Sequence, residues 1–352
     1  MAIKTLGIDI RKSTFHLIGL DERERPTLKQ KLTRAKLMEF AAKLPPCLIG
    51  MEACPGSQYL ARRFAEYGHT VRLMAAQFVK PYVKSNKSDF LDAEAIAEAV
   101  TRPTMRFVPV KNPEQQDLQA LHRVRSALVA ERTATINQAR AFLLEYGLPI
   151  TRGTRALRHT LPGIIADETN AVSFRVRSIL QRLWGQILDL DQRIEDFSGE
   201  IEALGREQPA CQRLMTIPGI GILTATAFIA AVGDGRVFRS GRELAAWLGL
   251  VPAQYSTGGK PKLLGISKRG NVYVRTLLVH GARAVLARGA RRDARLSAWL
   301  AGLSRRAHPN VAAVALANKL ARIAWAVLTR GDTYQGTTAR GNAALEGTGM
   351  AA

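Results

Sequence analysis

The chain has 352 residues and a formal net charge of +22 at neutral pH, from 51 lysines and arginines against 29 aspartates and glutamates. So strong a positive balance indicates a polyanionic partner, most simply nucleic acid. The 3 cysteines are scattered, which excludes a disulfide framework and a zinc site. No N-terminal run resembles a signal peptide, and none approaches ~18 uninterrupted apolar residues. We therefore expect a cytoplasmic protein without a membrane span.

The positive charge is unevenly distributed. Residues 209–330 hold 19 basic residues against 3 acidic ones, whereas residues 1–208 hold 31 against 24. The acids are thus kept in the N-terminal part, and we expect the phosphate-attracting surface in the C-terminal part.

The first hundred residues alternate apolar runs with amphipathic ones. Short runs with turn residues between them predict strands, and runs with helical spacing predict helices. In chain order, the pattern predicts strands at 4–10, 15–20 and 27–32, a helix at 35–43, a strand at 47–51, a helix at 57–67, a strand at 71–74 and a helix that begins at 89. The order β-β-β-α-β-α-β-α is that of the ribonuclease H and RuvC-like nuclease fold.

Four acids are placed unusually in these elements. Asp9 interrupts the first apolar strand, Glu52 ends the buried fourth strand, and Asp89 and Asp92 share the first turn of the helix. Ligands collect at the carboxyl ends of such strands, and clustered carboxylates do not all stay ionised without cations. Two Mg²⁺ ions ~3.5–4 Å apart would satisfy them and suit displacement at phosphorus. The ordinary alternative is that Ser88 and Asp89 cap the helix and Asp92 favours its dipole.

The middle of the chain is predicted to be helical. A polar helix covers 113–145, and a second helix carries apolar residues at alternating spacings of four and three. This second set comprises Val176, Leu180, Leu183, Ile187, Leu190, Ile194, Phe197, Ile201 and Leu204. The spacing is typical of a coiled coil, which we expect to dimerise the protein. An intramolecular hairpin with 113–145 is the competing interpretation, and the two are compatible. The segment 149–162 between the helices is interpreted as a basic loop.

The composition changes after Cys211. Residues 216–225 contain Ile-Pro-Gly-Ile-Gly and predict a hairpin that enters an apolar helix ending near Val232. This pattern is similar to the helix-hairpin-helix grip on a DNA backbone, although close packing of the glycine backbone against a neighbour explains it as well.

A glycine-rich loop at 254–260 carries Ser256. Nearby cations would stabilise a pentacovalent phosphate, so Ser256 is a candidate nucleophile; the alternative is a serine that only bonds a backbone amide. Helices are predicted at 272–287 and 310–328. The candidate nucleic-acid contacts of this region are Lys260, Lys262, Lys268, Arg269, Arg275 and Arg283. The basic surface is predicted to continue over Arg288, Arg291, Arg292, Arg295, Arg305 and Arg306. The segment 331–352 has little to bury and is predicted to be disordered.

Seven motifs in a fixed order carry a resemblance to a known family. They are Gly-Ile-Asp at 7–9, Met-Glu-Ala at 51–53, Lys-Ser-Asp at 87–89 with Asp-Ala at 92–93, and the segments 217–221, 247–252, 256–260 and 266–271. Over residues 4–328 the chain resembles the DEDD transposases of the IS110 family, in its IS1111 branch. These are bridge-RNA-guided recombinases of bacteria that insert and excise a DNA element.

The resemblance implies a fold, a division of the chain and a set of partners. The expected fold is α/β plus α, with a RuvC-like domain at 1–105, a coiled-coil dimerisation region at 112–208, a basic, mostly helical transposase domain at 209–330 and a tail at 331–352. The partners would be element-end and target DNA, a bridge RNA and a second copy of the chain, with a tetramer on DNA as the larger alternative.

The resemblance also assigns the site. Asp9, Glu52, Asp89 and Asp92 would bind magnesium, and Ser256 would attack the phosphodiester and form a transient phosphoserine link to DNA. Two other hypotheses remain open on the residues alone. One is a RuvC-like structure-selective endonuclease that hydrolyses with metal-activated water; the other is a basic nucleic-acid-binding protein whose acids are structural.

Overall fold

A computed structural model describes residues 2–84, 88–289 and 293–336 of the chain. The chain forms two compact units, Met1–Glu114 and Gln115–Ala352. The helical region and the basic domain, which the sequence analysis separated, both belong to the second unit. Lys87, Arg291, Arg292 and the predicted disorder beyond residue 336 lie outside the described residues.

The first unit is a mixed sheet with helices packed on it. Its elements are β1 (Thr5–Ile10), β2 (Thr14–Leu20), β3 (Pro26–Thr33), α1 (Arg34–Lys43), β4 (Leu48–Glu52), α2 (Ser57–Glu66), β5 (Thr70–Met74), α3 (Ala76–Val79), a 3-10 turn (Lys80–Tyr82), α4 (Asp89–Ala99) and β6 (Phe107–Val108). The strand order is β3-β2-β1-β4-β5-β6. The predicted mixed α/β fold with strands first and then alternation is confirmed, and it agrees with a RuvC-like domain.

The centre of this sheet is apolar on both faces. β4 lies between β1 and β5 and pairs in parallel with both. Ile49 and Met51 of β4 and Ile8 of β1 are fully buried on one face, and Gly50 and Gly7 lie on the other face, against α4. A continuous apolar run is typical of a strand covered on both faces. The apolar run at 47–51 therefore agrees with the position of β4 in the middle of the sheet.

Helix α4 packs against β1 at unusually short range. A β-carbon added at Gly7 would lie 2.2 Å from the carbonyl oxygen of Ala93 and 2.7 Å from the β-carbon of Ala97. Gly50 on β4 faces Val100 in the same way. Small residues on both sides therefore let the helix lie directly on the strands, with its first turn near the end of β1 that carries Asp9.

The second unit is almost entirely helical. Its elements are α5 (Pro113–Leu144, which begins at the end of the first unit), α6 (Thr154–Ala166), α7 (Phe174–Glu207), α8 (Pro209–Met215), α9 (Ile222–Val232), α10 (Gly241–Trp247), β7 (Pro252–Gln254), β8 (Leu263–Ile266), α11 (Val272–Arg288), α12 (Ala294–Arg306) and α13 (Pro309–Arg330).

Five of the nine predicted apolar positions of α7 are buried within the chain. Leu180 and Ile187 pack with Leu143 of α5, and further along α7, Leu190 packs with Leu128. The two helices thus run antiparallel, as the intramolecular interpretation predicts. Dimerisation through this region stays a prediction.

The predicted basic loop at 149–162 is wrong in part, because helix α6 occupies most of it and contains Pro162. Its terminal carbonyls are bonded from outside: the Arg177 guanidinium donates to the carbonyls of Ile164 and Ile165 at 2.8 Å. Arg158 forms an ion pair with Asp191 of α7. This positive charge therefore contributes to folding.

One buried polar side chain of the second unit joins three helices. His122 of α5 is 3% exposed, and its ring nitrogens lie 3.0 Å from the Tyr273 hydroxyl of α11 and 3.0 Å from the Thr226 hydroxyl of α9. Burial lowers the pKa of His122 to about 4, with a smaller effect from Arg125. The ring is accordingly neutral at physiological pH.

Helix α13 completes the core of the second unit. By length and composition alone it is apolar enough to cross a membrane, but half of its apolar window is buried inside the chain. Leu316 and Leu320 are fully buried in the main cluster of the unit. These are properties that a core helix also has.

Candidate active site

Three of the four predicted acids meet in the first unit. Asp9 is near the end of β1, and Asp89 and Asp92 are in the first turn of α4, where they were predicted to share one face. One carboxylate oxygen from each lies within 4.8 Å of the others, and all three side chains are partly buried. Ser88 is the N-cap residue of α4, but its side chain makes no capping hydrogen bond. Asp89 and Asp92 both lie in the first turn, where the helix dipole favours acids.

Glu52 lies at the end of β4, beside β1. It lines the same cleft as Asp9 and Asp92, a space of about 970 Å³. Burial raises the pKa of Glu52, and the negative charges of Asp9 and Asp92 raise it further. Burial likewise raises the pKa of Asp9, against the opposing effect of Arg11. Asp9 and Glu52 are therefore costly to ionise beside the other carboxylates of this cleft.

A basic side chain bridges two of these acids. The Arg11 Nε donates to Asp9 Oδ2 at 3.4 Å, and its Nη2 forms an ion pair with Asp89. A guanidinium placed between two carboxylates neutralises the same oxygen atoms that a metal ion would use. The oxygen-only donor set of the four acids is also the one that Mg²⁺ prefers. The residues therefore fit a divalent cation.

The cleft combines both signs of charge. Arg11, Lys12 and Lys80 line it together with the acids. The sequence analysis assigned none of these three cations to the site. Their position directly after the strand that carries Asp9 was the available signal for the first two. Cations around a carboxylate cluster suit a phosphate group that approaches bound metal.

The sequence analysis also missed His16. It lies on β2 opposite Asp9 in the antiparallel register. Its Nδ1 is 4.0 Å from Asp9 Oδ2 and 3.7 Å from Asp89 Oδ2. The hairpin register around the turn at 11–13 would have identified this pairing.

Ser256 belongs to the second unit, where it lies near the tip of a two-stranded hairpin. β7 pairs with β8, and Thr257 and Lys260 close the tip around Gly258 and Gly259. Both glycines have positive φ, 55° and 75°, as a type I′ turn requires. The serine side chain is consequently carried outward from the helical core on an exposed turn.

The Ser256 hydroxyl accepts two hydrogen bonds within the hairpin. The side-chain amide of Gln254 donates to it at 2.8 Å, and the backbone N–H of Lys262 donates at 3.3 Å. In both bonds the oxygen is the acceptor. The backbone-amide bond that the ordinary interpretation predicts is thus present, and it orients the exposed hydroxyl without burying it.

The base of this hairpin is fastened by two glycines. A β-carbon at Gly249 would lie 2.4 Å from the Arg269 carbonyl oxygen, and one at Gly270 would lie 1.9 Å from that of Trp247. The backbone N–H of Lys268 donates to the Gly249 carbonyl at 3.2 Å. Lys268 itself has a φ of 55°. Two segments therefore interlock and hold both ends of the serine hairpin.

Most of the predicted basic contacts are exposed. These are Lys260, Lys262, Lys268, Arg269 and Arg283. Arg275 differs: it is 8% exposed, and its Nη1 donates to the Leu248 carbonyl at 2.8 Å. The expected phosphate contact at Arg275 is thus corrected to a structural one, because a buried guanidinium bonded to the backbone is withheld from solvent.

A wide groove of about 1380 Å³ lies beside the hairpin, with β8 as one wall and α13 as another. Its cations are Arg242, Lys268, Lys319 and Arg322, and no acid lines it among the described residues. The motif at 217–221 lies elsewhere in this unit. There, a β-carbon at Gly281 of α11 would lie 2.0 Å from the Gly219 carbonyl oxygen, so the close-packing interpretation of that motif holds.

Comparisons with known proteins agree with this arrangement. A family profile described as a transposase, for DEDD proteins of the IS110 type, matches residues 6–148, and one described as "Transposase IS116/IS110/IS902 family" matches residues 211–297. The chain is 48% identical over 336 residues to a "probable family 20 transposase" of Pseudomonas aeruginosa, covering 95% of this chain and 99% of the relative. The chain belongs to the IS116/IS110/IS902 transposase family.

Two further relatives of this family carry the names of insertion sequences. The "transposase for insertion sequence element IS1111A" of Coxiella burnetii is 46% identical over 333 residues, covering 95% of this chain and 92% of the relative. The IS1328 transposase of Yersinia enterocolitica is 44% identical over 332 residues, covering 94% and 98%. The first profile match contains all four acids and the second contains Ser256, so both candidate centres lie in segments typical of the family.

Proposed function

We propose that the protein is the transposase of an insertion sequence and that it cuts and rejoins DNA by phosphoryl transfer. The observation that carries this proposal is the cluster of Asp9, Asp89 and Asp92, with ligand oxygens within 4.8 Å of one another, in a chain that belongs to a transposase family. With Glu52 they would hold Mg²⁺, two ions per site. Bound Mg²⁺ would neutralise charge on the phosphate and favour departure of the leaving oxygen.

Ser256 is the proposed nucleophile. Its Oγ forms a bond to phosphorus while one phosphorus–oxygen bond to a deoxyribose breaks. The hydroxyl proton passes to solvent, and the leaving oxygen takes one up. The product is a phosphoserine link that a DNA hydroxyl group later reverses. Support comes from the exposed position of the serine and from the two hydrogen bonds that orient its oxygen.

We propose that the exposed cations around the hairpin bind the phosphates of DNA. Lys260 and Lys262 follow the serine in the hairpin. Lys268, at the base of the hairpin, lines the groove between β8 and α13. Arg269 and Arg283 extend this surface. Each phosphate contact releases counterions, so binding should weaken steeply with salt.

Guidance and assembly are proposed from the family resemblance. We infer that a bridge RNA selects the target and donor DNA by base pairing, so that specificity lies largely outside the protein. The active assembly would contain at least a homodimer, in which the acids of residues 1–105 and the serine of residues 209–330 combine on the DNA in the bacterial cytoplasm. Residues 112–208 would supply the dimer contact.

The test is covalent trapping. The full chain is incubated with Mg²⁺, DNA carrying the ends of its own element and RNA from the flanking non-coding region. We expect a denaturation-resistant protein–DNA adduct that is absent in Ser256→Ala and retained in Ser267→Ala, a serine at the base of the same hairpin. Asp9→Asn should abolish the adduct as well.

A hydrolytic nuclease is the second candidate, because the acidic centre alone suffices for hydrolysis by metal-activated water. Cleavage without any adduct, unchanged in Ser256→Ala, would establish the nuclease and refute serine recombination. DNA binding with neither an adduct nor cleavage, and with the same affinity in Asp9→Asn, would indicate the third hypothesis, a binding protein with structural acids.

A further inference from the structure

His16 is a buried residue whose polar atom faces the acidic centre. Its side chain is 6% exposed, and its ring meets the ring of Phe90 edge-on at 4.8 Å between centroids. Nδ1 is directed at the carboxylates of Asp89 and Asp9, at 3.7 and 4.0 Å. Among the described residues, this nitrogen has no hydrogen-bond partner.

An unsatisfied buried nitrogen is costly, at about 1–3 kcal/mol. His69 shows the ordinary arrangement in the same unit. It is equally buried, yet its Nδ1 accepts the Cys47 N–H at 3.3 Å and its Nε2 lies 2.8 Å from the Ala41 carbonyl oxygen. His16 therefore differs from His69 in that one ring nitrogen has no hydrogen-bond partner. This nitrogen faces two carboxylates at distances a few tenths of an ångström beyond hydrogen-bonding range.

The two sides of the Asp89 carboxylate have different partners. Arg11, an exposed side chain, is paired with Oδ1, whereas His16 faces Oδ2 from the buried side. A cation held by Asp9 and Asp89 would compete with the exposed Arg11 for their carboxylate oxygens. The His16 ring is enclosed by the sheet and Phe90 and stays in place.

We propose that His16 is a positioning residue for the acidic centre and that its Nδ1–H donates a hydrogen bond to Asp89, and secondarily to Asp9, in the metal-bound state. This inference rests on the proposed metal site. A donor fixed behind a ligating carboxylate orients its free oxygen toward the ion, and loss of such a partner typically costs about 10- to 100-fold in metal affinity.

The experiment is calorimetric titration of the full chain with Mn²⁺, used as the probe in place of Mg²⁺. His16→Phe keeps an aromatic ring against Phe90 and removes the nitrogen, and it should weaken Mn²⁺ binding about 10- to 100-fold. His16→Asn places its side-chain amide nitrogen near the position of Nδ1 and should restore most of the affinity. His69→Asn is the matched control, a buried histidine outside the centre, and should leave Mn²⁺ affinity unchanged.

Three results would overturn the inference. The first is wild-type Mn²⁺ affinity in His16→Phe, and the second is His16→Asn binding no better than His16→Phe. The third is a directly coordinated nitrogen in the pulsed EPR spectrum of bound Mn²⁺, which would make His16 a ligand. If His16→Phe does not fold, His16→Leu replaces it in the same comparison. Asp9→Asn distinguishes failure of the metal site from failure of the positioning role. Undiminished Mn²⁺ binding in Asp9→Asn refutes the metal site itself. Lost Mn²⁺ binding in Asp9→Asn with unchanged binding in His16→Phe refutes only the positioning role of His16.

Discussion

Gly7 of β1 lies so close to Ala93 of α4 that a β-carbon at position 7 would stand 2.2 Å from the Ala93 carbonyl oxygen. The obstacle is backbone, which has no rotamer to change. The separation of α4 from the sheet, and with it the distance from Asp9 to Asp89 and Asp92, is therefore set by the absence of one methyl group.

We expect Gly7→Ala to weaken divalent-metal binding although every ligand is retained, because α4 must move away from β1. The shift should cost about 1–3 kcal/mol of stability as well, as overpacking usually does. Gly199→Ala is the matched control: it adds a methyl group in open space on α7 and should stabilise by about 0.5–1 kcal/mol without changing metal affinity. Mn²⁺ titration calorimetry and thermal unfolding measure both. Unchanged Mn²⁺ affinity in Gly7→Ala would show that the helix spacing does not determine the centre.

Without metal, the acidic centre should oppose folding at neutral pH. The folded-state pKa of Asp9 and Glu52 lies above the ordinary value, so both groups hold protons more tightly folded than unfolded. Their contribution to stability is present below pH 3.8 to 4.5, their ordinary values, and is lost as pH rises through the raised pKa values. Asp9→Asn should therefore unfold at a higher temperature than wild type in EDTA at pH 7.

Magnesium should reverse that order. At a concentration 100 times its dissociation constant it would stabilise wild type by about 2.7 kcal/mol, and Asp9→Asn should gain little. The gain should shrink in acid, where protons compete for the carboxylates. Asp189→Asn, at an exposed acid of α7, controls for general charge effects. Scanning calorimetry with and without Mg²⁺ tests this, and an intact Mg²⁺ response in Asp9→Asn would contradict it.

Substitutions of Arg275 and Lys260 should affect different properties, the first stability and the second the salt dependence of DNA binding. Arg275→Met leaves the buried Leu248 carbonyl without its donor and should cost about 1–3 kcal/mol of stability, with no change in the salt dependence of DNA binding. Lys260→Ala should lower the slope of log affinity against log salt by about 1 and leave stability within about 0.5 kcal/mol. Fluorescence anisotropy over a salt series and urea unfolding measure the two properties. A reduced slope in Arg275→Met would show that Arg275 contacts DNA phosphate.

His122 should make the second unit sensitive to acid. Its pKa is about 4 in the folded chain and about 6.5 unfolded, so the unfolded state binds more protons between these values. Stability present above pH 6.5 should fall by about 3 kcal/mol as pH drops to 4.

His122→Gln should lose this dependence, and the exposed His159→Gln should keep it. All 4 tryptophans lie in the second unit, so tryptophan fluorescence during urea unfolding reports on that unit specifically. Equal acid sensitivity in His122→Gln and wild type would show that folding does not lower the pKa of this ring.

The sequence predicted most of what depends on local pattern. The order of strands and helices along the first hundred residues, the carboxyl-end position of Glu52 and the shared face of Asp89 and Asp92 all follow from periodicities of two and 3.6 residues. The roles of Arg11 and His16 depend on register across a hairpin, which composition does not express. The basic loop predicted at 149–162 is largely helix α6, which continues through Pro162 and whose last carbonyls accept hydrogen bonds from Arg177. Charge alone likewise did not distinguish the buried Arg275 from its exposed neighbours.

The antiparallel packing of α5 and α7 has a consequence for any assembly of two copies. The heptad residues Leu180, Ile187 and Leu190 are already enclosed by the chain's own helices, so their removal would unfold the protomer before it separated a pair. Variants meant to separate copies belong on the outward side of α7. There Ile179 and Leu188 are 42% and 48% exposed, and a charge at either position leaves the internal hairpin intact.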